Sequence, residues 1–248
     1  MDFGKYKQVG VVKDLARFPV KSMGGEDIAA SYVGWHGFDG DRRFTYVKTS
    51  DKSGFPWFTI RDYPGLVQYK AYFENPDDVR ESPVRVKTPT GLDFAIDDSE
   101  LAEVLRAVSG KDVRLLQNWS GVYDTMDISV ISIESMKAIE SATGEKLDPR
   151  RFRSNIVIEM HPWVERDFPE EKLVGMLLKF GDREDSAKIR VHRKDARCMV
   201  VNVSPETGKQ NPGILKEIVA GRKNNLGVYG STERPGTVRV GDPILTSD

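Results

Sequence analysis

Turn-forming residues limit what this chain can fold into more than any other feature. Gly24-Gly25, Gly37, Gly40, Pro56, Pro64-Gly65 and Gly91 interrupt the N-terminal part again and again. No long amphipathic helix can run through such punctuation, because glycine and proline stop helices and favour turns. The runs between them are short, apolar and partly alternating. Residues 8–18, 28–33, 42–48, 66–73 and 83–87 are therefore predicted to be strands.

The first clear helix comes after these. Asp97-Asp98-Ser99-Glu100 resembles a capping box, an N-cap acceptor with a glutamate three residues on, and Leu101, Val104, Leu105 and Val108 repeat at helical spacing before Gly110 ends the run. A second block starts near Asp112. Residues 128–131 are predicted to be a buried strand, with Ser132 capping a helix that runs to about Ala142. Strands at 155–159, 176–180, 189–192 and 199–203, a short helix at 214–220, and strands at 226–229 and 237–240 complete the reading. Many short strands with few helices predict a mainly β protein (α+β), built as two packed β-barrel-like lobes over residues 1–110 and 111–248.

Composition narrows the function classes. In 248 residues, 39% hydrophobic and 30% charged content suit a folded globular chain. The net charge of -1 gives no overall attraction to nucleic acid. No apolar run approaches the ~18 residues of a membrane span, and the N-terminus lacks a signal-peptide pattern. One cysteine forms no internal disulfide, so a reducing, cytoplasmic setting is expected. No GxxxxGK[ST] or GxGxxG loop occurs, which argues against nucleotide kinases and Rossmann dehydrogenases.

The single cysteine, Cys198, lies in HRKDARCMVVNVSPETG. Two readings stand side by side. A free cysteine often packs as a small hydrophobe. As a thiolate it is a nucleophile or metal ligand, and Arg193, Lys194 and Arg197 are nearby cations. In a strand, Arg197 and Cys198 would face opposite ways. Cysteine hydrolysis needs a partner histidine; His36, His161 and His192 form no recognised signature, nor do they pair with Cys198 at zinc-ligand spacing. Three basic clusters are candidate anion sites as well as ordinary strand ends: Lys21-Ser22, Arg42-Arg43, and Arg150-Arg151-Phe152-Arg153-Ser154-Asn155. Together with a soft thiolate they suit a phosphorylated organic cofactor carrying a soft metal.

The ordered motifs FPVKS, GDRRF, TIRDYPGLV, RFRSNIVIE, ARCMVVNVSPETG and PGTVRVGDPI resemble those of MOSC-domain proteins. That family is named after the C-terminal domain of molybdenum cofactor sulfurase. The first three motifs are similar to its N-terminal β-barrel domain and the last three to the MOSC domain itself. Two-domain members include the mitochondrial amidoxime-reducing component and its bacterial counterparts.

The resemblance implies a molybdenum–molybdopterin cofactor (Moco) with Cys198 as metal ligand and catalytic residue. It implies cofactor contacts from Lys21, Ser22, Arg42 (or Arg43 in the alternative register), Asp124, Thr125, Arg153, Asn155 and Arg197. It implies a molybdenum oxidoreductase that reduces N-hydroxylated small molecules. With no cysteine cluster for iron–sulfur and no flavin fingerprint, the chain is expected to take its electrons from a separate reductase, and its charge and hydropathy predict no nucleic-acid or membrane partner. The alternative is a non-catalytic carrier of cofactor or persulfide sulfur at Cys198.

Overall fold

The computed structural model describes residues 6–118, 123, 125, 127–164 and 167–247. The chain opens with β1 (Lys7–Arg17), β2 (Glu26–Ile28), β3 (Ala30–Gly34), β4 (Gly37–Phe38) and β5 (Phe44–Lys48). After a 3-10 turn at Pro64–Gln68 come β6 (Lys70–Phe73), β7 (Val84–Lys87), β8 (Asp93–Ala95), helix α1 (Ser99–Ser109) and β9 (Val113–Gln117). The second half runs β10 (Ile128–Ser132), α2 (Ile133–Thr143), β11 (Ile156–Met160), β12 (Leu177–Phe180), β13 (Lys188–Ala196), α3 (Pro212–Arg222), β14 (Asn225–Arg234), β15 (Gly236–Arg239) and β16 (Pro243–Ser247). Strand at 38% exceeds helix at 22%, so the protein is mainly β as expected.

The largest sheet has eight strands in the order β11-β10-β14-β13-β12-β16-β1-β2, and β1 also pairs with β11. The sheet therefore curls and brings its edge strand β11 against β1, the neighbour of the other edge strand β2. Its interior holds Val12, Leu15, Phe38, Ile128, Ile156, Phe180, Val191 and Val228, all almost fully buried. A second core gathers Val20, Met23, Phe58, Leu66, Ala71, Val86, Leu101 and Leu105 between β5–β9 and α1. A third lies under α2 and α3, around Ile139, Phe152, Val201, Ile214 and Leu226. Burial of these side chains removes apolar surface from water, the dominant favourable term in folding. The sequence division near residue 110 is crossed in space. β1 lies in the C-terminal sheet, and Val203 packs into the N-terminal core.

The helix ends follow the predicted local chemistry. Asp98 caps α1 by accepting from the Glu100 amide at 2.8 Å, and Gly110 closes it at φ 68°. Ser132 caps α2 by accepting from the Ser135 amide at 3.0 Å. Three readings need correction. Residues 199–203 are not a strand but a 3-10 turn, Met199–Asn202, followed by a bridge at Val203. The first half of the run at 66–73 is the 3-10 turn started by Pro64, whose fixed φ suits a first helical position. Strands β4, β8, β9 and β16 have no counterpart in the sequence expectation, because they are short and lack clean alternation in sequence.

Glu170 lies fully buried below the start of α2, accepting from the Ser132 and Ser135 hydroxyls at 2.6 Å each. Burial pushes its carboxyl pKa above the usual range, although those hydrogen bonds pull the other way. The folded state then binds this proton more tightly than the unfolded chain. The contribution to stability is full below the ordinary glutamate pKa of about 4.3 and declines as pH rises through the raised value. Glu170→Gln should therefore raise the urea midpoint at neutral pH, with the gain shrinking toward acid pH. An equal effect at both pH values would contradict this.

Candidate functional site

The end of β13 sets the site. Between the pairs Lys194↔Val228 and Ala196↔Asn225, β14 contains one residue more than β13. This bulge re-aims the neighbouring side chains. Lys194 and Ala196 are exposed, Asp195 is 1% exposed, Arg197 is 7% exposed, and Cys198 is exposed again. The sole thiol is thus not core packing. Cys198 stands at the residue before the 3-10 turn Met199–Asn202, where its side chain makes no capping hydrogen bond, and lines a cavity. The same cavity is lined by Lys21 and Ser22 after β1, Arg42 before β5, Arg153 before β11, and Arg197. Residues far apart in sequence therefore converge on one concave surface.

Backbone conformation marks the same place. Six non-glycine residues among those described have positive φ, and three of them line this cavity: Ser22 at 67°, Arg42 at 47° and Arg153 at 53°. A side-chain-bearing residue in the left-handed region costs on the order of 1–3 kcal/mol and persists only where surrounding structure enforces it. Here that enforcement comes from buried arginine forks. Arg42 pairs with Asp41 and donates from Nη2 to the Arg153 carbonyl at 2.7 Å. Its Nη1 reaches Asn155 Oδ1 at 3.4 Å. Asp41 in turn accepts from the Phe18 amide at 2.7 Å. Arg153 donates to the Met23 carbonyl, and its guanidinium lies 4.4 Å from the Phe18 ring centroid. Lys21 donates from Nζ to the Tyr123 carbonyl at 2.6 Å.

Arg197 is fixed just as firmly. Its Nε donates to the Leu226 carbonyl at 2.6 Å and its Nη1 to the Phe152 carbonyl at 2.8 Å, while Asp195 pairs with it at 2.9 Å. Asp195 also accepts from Ser129 Oγ at 2.9 Å. Gly227 in the bulge, at φ 82°, makes room for this fork. A Cβ there would lie 2.8 Å from Arg197 Nη2 and 2.7 Å from the Val130 carbonyl oxygen. Gly227→Ala should cost about 1–3 kcal/mol, since both the left-handed φ and the contact are unfavourable. Chemical denaturation reads this directly, and an unchanged midpoint would contradict the notch.

The structure sorts the sequence candidates. Lys21, Ser22, Arg42, Arg153, Arg197 and Cys198 line the cavity, and Asn155 stands behind it, braced on Arg42 and the Ser129 amide. Arg43 does not join them. Its guanidinium turns to Asp39 at 3.5 Å, in a different groove, so of the two arginines only Arg42 lines the Cys198 cavity. Thr125 is exposed and outside the lining, and Asp124 lies outside the described residues. Sequence reading missed Ser129, Asp195, Phe55, Arg61 and Tyr229, which also line the cavity. Asp195 is within reach of sequence reasoning, since it stands three residues before the cysteine and shares the buried face of β13 with Ile189 and Val191.

Comparison with known proteins agrees with this arrangement. Residues 9–119 match the MOSC N-terminal beta barrel domain and residues 118–245 the MOSC domain. The chain is 25% identical to mitochondrial amidoxime reducing component 2 of Macaca fascicularis, over 97% of this chain and 84% of that protein. The human protein of the same name gives the same identity and coverage. Human mitochondrial amidoxime-reducing component 1 is 27% identical over 49% of this chain and 37% of that protein. Among solved structures, the YuaD protein from Bacillus subtilis shares the fold, with a TM-score of 0.52 at 15% identity over 98% of this chain and 99% of that one. With the MOSC domain matched over just over half of its length and the N-terminal barrel domain over most of the rest, this chain belongs to the MOSC-domain family.

Proposed function

We propose that this protein holds a molybdenum–pterin cofactor in the Cys198 cavity and uses it to reduce N-hydroxylated compounds. The observation that carries this reading is the convergence of one exposed thiol with three left-handed, side-chain-bearing residues on a single cavity wall. The donor set fits such a group. Cys198 offers a soft sulfur ligand to a thiophilic metal. Lys21 and Ser22 offer a charge and a hydroxyl to its phosphate end, and Arg42, Arg153 and Arg197 give that wall its positive field. Among the described residues no three of His, Cys, Asp and Glu gather into a metal site. A metal held here by Cys198 therefore needs a group that brings further ligands of its own. The relatives named as amidoxime-reducing components support the choice of substrate class.

When bound, the cofactor supplies a two-electron redox centre. The protein supplies binding, orientation and electrostatics. Reduction of an N-hydroxyl group takes two electrons and two protons, breaks the N–O bond, and releases water and the N–H product. The chain has one cysteine and no flavin fingerprint, so the electrons are assigned to a separate reductase protein. No helix among the described residues is long and apolar enough to cross a membrane. A reducing compartment such as the cytoplasm keeps the Cys198 thiol free.

The exposure of Cys198 also favours a second reading, a carrier that holds cofactor or persulfide sulfur without turnover. Protein from a molybdopterin-competent host, given a reduced viologen dye and benzamidoxime, separates the two. Benzamidine formation supports the reductase. Bound molybdenum or sulfane sulfur on Cys198 with no benzamidine formed would replace it with the carrier.

A further inference from the structure

Three residues of the TIRDYPGLV motif, Thr59, Ile60 and Arg61, line the cavity. The motif's turn is held tightly. Asp62 accepts from the Thr59 amide at 2.9 Å and from Lys48 Nζ at 3.2 Å, and the Arg61 amide donates to Thr59 Oγ at 3.3 Å. The acid next to Arg61 is thus turned away from it. Arg61 itself is exposed and forms no ion pair among the described residues; its guanidinium lies 5.7 Å from the Phe55 ring centroid. Phe55 is 47% exposed and lines the same cavity, as does Tyr229.

The other cations of the lining are engaged differently. Arg42, Arg153 and Arg197 are buried and donate to backbone carbonyls, and Lys21 reaches Tyr123. The lining includes five cations, Lys21, Arg42, Arg61, Arg153 and Arg197, against one carboxylate, Asp195. With Lys21, Arg42, Arg153 and Arg197 given to the cofactor and to backbone carbonyls, Arg61 is the lining cation placed to meet an anionic group on the substrate.

We propose that Arg61 and Phe55 form a recognition clamp that selects substrates with a planar aromatic ring bearing a carboxylate. The ring stacks on Phe55 while the guanidinium meets the carboxylate through its fork. This inference rests on the reductase reading and adds the substrate class to it.

The test compares benzamidoxime with para-carboxybenzamidoxime in wild type, Arg61→Ala and Arg61→Lys. Wild type should favour the carboxylate in kcat/KM by about tenfold, the worth of one charge-assisted hydrogen-bonded pair. Arg61→Ala should collapse that ratio, mainly through KM, at unchanged molybdenum per chain, and Arg61→Lys should restore part of it. Equal rates for both compounds in wild type would overturn the clamp while leaving the reductase standing. Loss of molybdenum in Arg61→Ala would overturn it too, assigning Arg61 to the cofactor's phosphate instead. If neither compound is reduced, the reductase reading fails. Calorimetry with para-carboxybenzamidine and benzamidine then decides the clamp by itself: preference for the carboxylate, lost in Arg61→Ala, supports it, and equal affinity overturns it.

Discussion

Replacement of Cys198 by serine is expected to abolish benzamidoxime reduction while leaving the fold intact. A hydroxyl is a hard donor that binds a soft metal poorly. Mutation of residues that merely brace metal ligands costs about 10–100-fold, so losing the one protein ligand should cost more than about 100-fold. The Cys198 side chain is exposed and closes no helix hydrogen bond. Exposed substitutions of this kind stay within about 0.5 kcal/mol, or about 1–2 °C in Tm for a chain of this size. Activity assay and thermal melt together check both halves. A serine variant that still turns over would remove Cys198 from the chemistry, and one that melts far below wild type would make it structural.

One residue earlier the expectation reverses. Arg197→Ala should destabilise the fold strongly, in contrast to Cys198→Ser. The substitution takes the guanidinium from Asp195, a carboxylate 1% exposed, and the donors from the Leu226 and Phe152 carbonyls. Breaking one side of a buried pair costs about 3–5 kcal/mol, because the remaining charge stays desolvated. The Tm should fall by roughly 6–20 °C. Arg197→Lys keeps the charge but cannot fill the fork, and should recover only part of the loss. A variant with wild-type Tm would show that the Asp195–Arg197 pair does not hold the end of β13. Adjacent residues with opposite phenotypes follow from the alternation of buried and exposed side chains over residues 194–198, while Gly227 leaves room for the Arg197 fork.

Much of this was legible before any coordinates. The Ser132 and Gly110 caps, the helix after Asp98 and the strand at 128–131 follow from local rules, because local hydrogen bonds and periodicity decide them. The turn at Met199–Asn202 was not legible. Met199-Val200-Val201 has strand composition, but Val201 and Val203 are drawn into two different cores, and only a turn can serve both. Among candidate site residues, the ordered motifs named Lys21, Ser22, Arg153 and Cys198 correctly as neighbours in space. The choice between Arg42 and Arg43 depended on the left-handed φ at Arg42, which no propensity rule assigns to arginine. Phe55, Arg61 and Tyr229 reach the cavity by tertiary approach of separate segments, and the TIRDYPGLV motif around Arg61 carries no recognised catalytic pattern.

The most direct measurement is the molybdenum content of the purified wild-type protein from a cofactor-competent host, by elemental mass spectrometry. The account expects molybdenum close to one atom per chain, retained through gel filtration. A folded, monodisperse protein containing none would contradict it.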